Sequence, residues 1–315
     1  MTETILWNSS LIPVAQSDRC AVFQMKNDTG EGTMTMYDVF PGVMLAYNDY
    51  HMEHCESVFQ TPQELFCIDH CREGRLEYAA NESAYSYVEA GDLKMDCRLE
   101  HTGHFTFPLS HYHGITVSFT LPEAARRLKE QIQDFPVDLY ALREKFCNGG
   151  HPMVIHGAPS IEHVFGELYA VPEKIKLQYF KIKVLELLLY LEAIELPQQR
   201  EERPYFYKSQ VEKIKAIQRQ MTEHLEHHYT LEELSEQFDI PLTPMKSCFK
   251  NVYGSPVNTY MRAYRMNRAA SLLRRERERS VAEIAGLVGY DSPSKFAAAF
   301  KAVIGQAPLE YRKNG

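Results

Sequence analysis

The chain has 315 residues, 44% of them hydrophobic and 24% charged, and a net charge of −8. That length allows two domains with cores of their own, and the balance is that of an ordinary globular protein. No stretch reaches the roughly 18 apolar residues needed to span a bilayer, which excludes a membrane-embedded class.

The charge is uneven. Residues 209–315 hold 16 Lys/Arg against 12 Asp/Glu, which leaves 18 against 30 for residues 1–208. A basic C-terminal module on an acidic body favours a nucleic-acid surface at one end. Seven cysteines without a CxxC pair suit a reducing compartment. Met1-Thr-Glu-Thr-Ile lacks the basic and apolar segments of a secretory signal. A cytoplasmic protein with no membrane partner is therefore expected.

In chain order, short strands come first. Met34–Val39, Val43–Asn48, Leu65–Cys71, Arg75–Ala79, Tyr85–Val88, Leu93–Cys97 and Gly114–Phe119 are brief, β-branched or aromatic, and bounded by Gly, Pro, Asn or Asp. Their spacing predicts a small antiparallel barrel or sandwich. Glu89-Ala-Gly91-Asp92-Leu93 resembles the tight turn of cupin barrels. Residues 1–120 are expected to form a cupin-like barrel.

Histidine and cysteine crowd this region. His51, His54, Cys67, His70, Cys71, His111 and His113 are the candidate effector-pocket residues. His111 and His113 share one strand face, as do Cys67, Asp69 and Cys71. No standard zinc spacing occurs and the cupin His-x-His…Glu pattern is not met, so neither a metal nor another cofactor is expected. The pocket is expected to take a small organic molecule or a metal chelate. The bland alternative is that these side chains only pack the barrel.

Helices follow over 121–196, expected at 122–133 and 137–147 with a longer one opening at Pro172. Leu177, Phe180, Val184, Leu187, Leu191 and Ile194 recur at spacings of three and four. That heptad seam predicts helix pairing with a second protomer, hence a homodimer. Core packing accounts for the same stripe equally well. Polar, proline-bounded 197–208 reads as a linker.

The last hundred residues repeat one pattern. Thr230-Leu-Glu-Glu233 returns as Ser280-Val-Ala-Glu283, 50 residues on, and Phe249-Lys-Asn-Val-Tyr-Gly254 returns as Phe300-Lys-Ala-Val-Ile-Gly305, 51 residues on. Each copy opens on a capping box and closes on a glycine-stopped helix. The one-residue difference is expected in the turn, where Asp239 and Gly289 correspond. Two helix-turn-helix units on one chain predict a module that enters two successive major grooves. Those grooves lie about 34 Å apart, so a rigid connector is required. The predicted connector runs from Pro256 to about Arg275, with Ser255 as its cap and Tyr260, Tyr264, Ala269, Leu272 and Leu273 inward. Ser209 and Glu212 predict a capping box on the helix that opens the module. Lys250, Arg262, Arg265, Arg268 and Lys301 are the expected phosphate contacts.

Residues 209–315 resemble the AraC/XylS family of transcription regulators. The resemblance rests on the duplicated unit, on Tyr260…Arg265…Ala269-Ala270…Leu272-Leu273, and on Gly289-Tyr-Asp-Ser-Pro-Ser-Lys-Phe…Phe300-Lys301…Gly305…Pro308…Tyr311-Arg312. It implies base-facing positions at Thr243, Lys246 and Ser247 in the first unit, and at Ser294, Lys295 and Ala298 in the second. Arg or Gln, common in the family at the places of Ser247 and Ala298, is missing, and with it the bidentate reading of guanine or adenine. The string Ser-Lys-Phe-Ala-Ala-Ala-Phe-Lys resembles the pyochelin regulator-like, siderophore-responsive subgroup.

The expected protein is thus α+β: an antiparallel cupin-like barrel with a helical dimerisation segment, then an all-α tandem helix-turn-helix domain. Its expected function is effector-responsive binding of double-stranded promoter DNA. By resemblance it activates transcription through RNA polymerase and is not an enzyme. One rival is a metal-dependent cupin-type enzyme using His51, His54, His111 or His113, with an accessory DNA-binding tail. Another is a constitutive DNA-binding scaffold.

Overall fold

The computed structural model describes residues 6–7, 11–147, 152–157, 159–196 and 206–314. These form two compact units, 1–205 and 206–315. The architecture is α+β, with a sheet and its covering helices in the first unit and a helical second unit. No helix among the described residues is long and apolar enough to cross a membrane.

The strands of the first unit are β1 (Leu6–Trp7), β2 (Ile12–Gln16), β3 (Cys20–Asn27), β4 (Gly30–Phe40), β5 (Val43–His51), β6 (His54–Asn81), β7 (Ala84–Glu89), β8 (Leu93–Thr106), β9 (Tyr112–Thr120) and β10 (Met153–Ile155). The sheet runs β10-β8-β6-β9-β5-β4-β3-β2, and β1 and β7 also pair with β6. The predicted fragments Leu65–Cys71 and Arg75–Ala79 are one strand. Gly74 (φ 87°) breaks it, where a Cβ would stand 2.2 Å from the His111 carbonyl oxygen. Below that bend β6 pairs with β9, with Ile68 opposite Val117; above it β6 pairs with β7, with Leu76 opposite Val88. The turn after Glu89 forms as its sequence predicts. Gly91 takes φ 86°, and the Asp92 carboxylate accepts from the Glu89 amide at 2.9 Å.

Side-chain alternation gives the sheet two distinct faces. Val43 and Leu45 of β5, Phe66 and Ile68 of β6, and Ile115, Val117 and Phe119 of β9 join one core. Over it lie α1 (Leu121–Gln131), α2 (Leu139–Cys147), α3 (Pro159–Leu168) and α4 (Lys176–Ala193). The intervening residues face the other way and line a cavity.

The heptad seam of α4 is spent on that core. Phe180, Val184, Leu187 and Leu191 are at most 1% exposed, and Leu177 and Ile194 pack half-buried against the same cluster. They are not a free dimerisation surface. A stripe spaced by threes and fours fits a sheet face as well as a second helix, and here the sheet takes it. The opposite side of α4 leaves Ile182 and Leu189 exposed, with Leu185 half-buried between them.

Residues 197–205 of the expected linker lie outside the described residues, and Lys208 already opens a helix. The second unit contains α5 (Lys208–Glu223), α6 (Leu231–Gln237), α7 (Leu242–Tyr253), α8 (Val257–Arg275), α9 (Val281–Leu287), α10 (Pro293–Ile304) and α11 (Pro308–Asn314). Both repeated capping boxes are made, Thr230 with Glu233 and Ser280 with Glu283. Gly254 and Gly305 end α7 and α10 in the left-handed conformation. Asp239 (φ 47°) and Gly289 (φ 78°) hold the same left-handed turn position. The extra residue of the second copy falls just after that turn. Asp291-Ser292 replaces Pro241, and Ser292 caps α10 through its hydroxyl.

Three local expectations are corrected. Ser209 lies inside α5, which has no side-chain cap, so no box with Glu212 forms. Pro256, not Ser255, is the N-cap of α8. Tyr264 is on the solvent side of α8, whereas Met261 and Met266 join Ala269, Leu272 and Leu273 inside.

Candidate functional site

Helix α7 divides cleanly. Met245, Cys248, Phe249 and Val252 are buried, and Thr243, Lys246, Ser247 and Lys250 are exposed together on the other side. Helix α10 repeats this, with Phe296, Ala299 and Phe300 inward and Ser294, Lys295, Ala298 and Lys301 outward. Each outward face offers hydroxyls and ammonium groups, the donors that base edges and phosphates accept. Arg262 and Arg268 on α8 are also exposed.

Arg265 is not a free phosphate contact. Its guanidinium donates to the carbonyls of Leu225 (3.0 Å) and His227 (3.1 Å), and Nη1 lies 3.2 Å from His228 Nδ1. His228 Nε2 in turn reaches the Gly289 carbonyl at 2.6 Å. If Nε2 carries the hydrogen, Nδ1 is left to accept from the arginine. A Cβ on Gly289 would sit 2.3 Å from the Leu225 carbonyl oxygen and 3.3 Å from the guanidinium. Arg265 therefore locks the loop after α5 to the second unit's turn. Spacing along α8 shows where Arg265 sits but not the carbonyls that claim it. Arg274 likewise lies over the Tyr311 ring, 4.6 Å from its centre.

The second candidate site is the cavity of the first unit, roughly 170 Å³. Its wall is apolar, with Met25, Met34, Met36, Met44, Tyr50 and Phe107 prominent. Its floor is a charge cluster. Asp69 and Asp96 each pair with Lys94 and Arg98, with Lys94 to Asp96 at 2.5 Å and Lys94 to Asp69 at 3.4 Å. Thr116 donates to Asp69 at 2.7 Å, Asn48 to Thr116 at 2.9 Å, and Tyr50 to Asn48 at 3.1 Å. Burial would raise the Asp96 pKa, but Arg98 and Lys94 outweigh it and hold the carboxyl well below the usual range. The floor is a closed, neutral set of two cations and two anions.

The predicted pocket residues mostly stand elsewhere. Cys67 lines the cavity, and burial raises its thiol to about 12, which leaves it neutral. Cys71 is in the apolar cluster beside the cavity, also raised by burial to about 12. His70 faces the helices, stacked on Phe165 at 4.3 Å with Glu162 3.4 Å from its Nε2. His54 stacks near His104 at 5.1 Å, and His111 Nδ1 is held 2.9 Å from the Leu109 carbonyl. His51 and His113 are on the outer face beside Asp49. Residue type alone suggested these positions; strand parity decides which side each faces. Lys94, Asp96 and Arg98 were missed, though their period-two spacing on one strand was visible. So were Asn48 and Thr116.

A family profile described as a helix-turn-helix domain matches residues 234–314. The F1 operon positive regulatory protein of Yersinia pestis is 42% identical over 64 residues, 20% of this chain and 21% of that protein. A putative AraC-like transcription regulator of Streptomyces lividans is 34% identical over 86 residues, 27% of this chain and 28% of that protein. Among solved structures, the C-terminal domain of AraT, a response regulator from Geobacillus stearothermophilus, is 28% identical, with 33% of this chain and 85% of that chain covered and a TM-score of 0.31. The chain spans between 21% and 40% of the length of the curated relatives it matches. Residues 234–314 thus carry a helix-turn-helix domain similar to that of AraC-like transcription regulators.

Proposed function

We propose that the protein is a cytoplasmic, effector-responsive transcription regulator that binds promoter DNA through α7 and α10. One observation carries this reading: two equivalent helices, each preceded by a capping-box helix and ended by a left-handed glycine, leave matching hydroxyl and ammonium faces exposed. Thr243, Lys246 and Ser247 read bases in the first unit, and Ser294, Lys295 and Ala298 meet the second groove. Ala298 offers only a methyl contact. Lys250, Arg262, Arg268 and Lys301 contact phosphates.

The cavity of the first unit, read as a cupin-like sensory barrel, takes the effector. Its dimensions suit a small, mainly apolar molecule with one polar group directed at the Asp69–Arg98 floor. Effector binding shifts a pre-existing equilibrium between forms with different DNA affinity. Activation of transcription is supported by relatives named as a positive regulatory protein and a transcriptional activator, and the RNA polymerase contact rests on the family resemblance. The homodimer forms through the outer stripe Ile182, Leu185 and Leu189 of α4.

The test is a gel shift of the full chain on its own promoter fragment, with Lys246→Ala and Lys295→Ala. Lys246→Ala should weaken binding by about 1–3 kcal/mol and relax base preference. Lys295→Ala should weaken binding more evenly across sequences. Unchanged affinity in both variants at moderate salt would overturn the assignment of these faces.

A further inference from the structure

On the outer side of the barrel, away from the cavity, three metal-ligating groups converge. Asp49 and His51 are two residues apart on β5, so both leave the same face, and His113 of β9 lies directly opposite Asp49 in the strand register. The ligand atoms meet at one point. His51 Nε2 is 3.0 Å and His113 Nε2 is 2.9 Å from the same Asp49 Oδ1, and the two Nε2 atoms are 3.4 Å apart. Among the described residues, this is the group whose donor atoms all lie within metal-binding reach of one another.

Ligands about 2.0–2.1 Å from a tetrahedral zinc stand about 3.3–3.4 Å from each other. The imidazole pair already has that separation, and the carboxylate is slightly closer. Glu73 Oε2 lies 3.9 Å from His113 Nδ1, on the other side of the ring from the convergence point. A carboxylate there favours the tautomer with hydrogen on Nδ1, which frees Nε2 to ligate. Two imidazoles and one carboxylate suit a zinc-class divalent cation and leave a coordination position open.

We propose that Asp49, His51 and His113 form a site for one zinc-class divalent cation that ties β5 to β9. The site is separate from the cavity yet backs onto it. Tyr50 and Tyr112, a register pair one step along the same two strands, point inward and line the cavity. A cation across Asp49 and His113 stiffens the strand pair that carries those tyrosines.

The test uses the full chain without an affinity tag, stripped with chelator and titrated with Co²⁺ and then Zn²⁺. One equivalent of Co²⁺ should give a visible absorption band that Zn²⁺ abolishes. His51→Ala, His113→Ala and Asp49→Asn should each weaken Zn²⁺ binding by about tenfold or more. His104→Ala and His111→Ala should leave it unchanged. Zn²⁺ should also raise the thermal midpoint of the wild-type chain but not that of His51→Ala. The His51 side chain is 62% exposed, so this variant decides the matter even if the others fold poorly. Absence of stoichiometric binding in the wild type, or full binding in His51→Ala, would overturn the site. These readouts involve no DNA, so failure here leaves the proposed regulatory role standing.

Discussion

Two residues change role between sequence and structure, and both can be checked. Arg265 appears in sequence as one cation in a row of three on α8, yet its guanidinium serves two carbonyls and an imidazole. Arg265→Ala should destabilise the protein by about 1–3 kcal/mol, because the partly buried Leu225 carbonyl and the His227 carbonyl lose a charged donor. Lys246→Ala, fully on the surface, should shift stability by less than about 0.5 kcal/mol. Urea unfolding separates the two. His70 is the other case. Burial lowers its pKa below the ordinary 6.5, with Glu162 opposing. A buried neutral histidine must take up a proton on unfolding. Its stabilising contribution is therefore complete above pH 6.5 and falls as pH drops from there toward the lowered folded value. His70→Phe should flatten the fall in thermal midpoint between pH 6.5 and 5. An unchanged slope would contradict the burial argument.

At the scale of elements, the second unit was largely legible because its signals are local. Capping boxes act within one turn, and a left-handed glycine is fixed by its own φ. The strands were legible as pieces, but β3 and the full length of β6 and β8 were not. Long strands depend on partners distant in sequence, and Gly74 looked like a terminator when it is a bend. The effector histidines and the α4 seam show the same limit. Residue type and spacing suggest chemistry, but only tertiary packing decides which face is spent inside. For α4 the consequence is measurable. Phe180→Ala removes a fully buried ring and should cost about 3–5 kcal/mol. Ile182→Glu with Leu189→Glu should leave stability nearly intact and turn a dimer into a monomer in sedimentation. A variant that remains dimeric would show that another surface pairs the protomers.

For the whole molecule, the charge partition is the governing quantity. The acidic first 208 residues and the basic remainder act on a DNA polyanion with opposite sign. Only the basic portion releases counterions, so the salt dependence counts contacts rather than net charge. If Lys250, Arg262, Arg268 and Lys301 all engage phosphates, log K against log salt should have a slope of about −4. Replacing Lys250 alone should make it shallower by about one unit. A slope near zero would mean that the chain does not neutralise a polyanion through these side chains.

Strand β5 carries one alphabet on its even positions and another on its odd positions: Met44, Ala46, Asn48 and Tyr50 turn to the cavity, while Val43 and Leu45 pass under the helices and Asp49 and His51 emerge beyond them. Deleting one residue near its start would exchange the two alphabets, setting carboxylate and imidazole against methionine and turning the tyrosine out to water. Removing a dipeptide would shorten the strand but keep its parity. An internal change in this strand therefore keeps both faces only in steps of two, unless a bulge absorbs the odd residue.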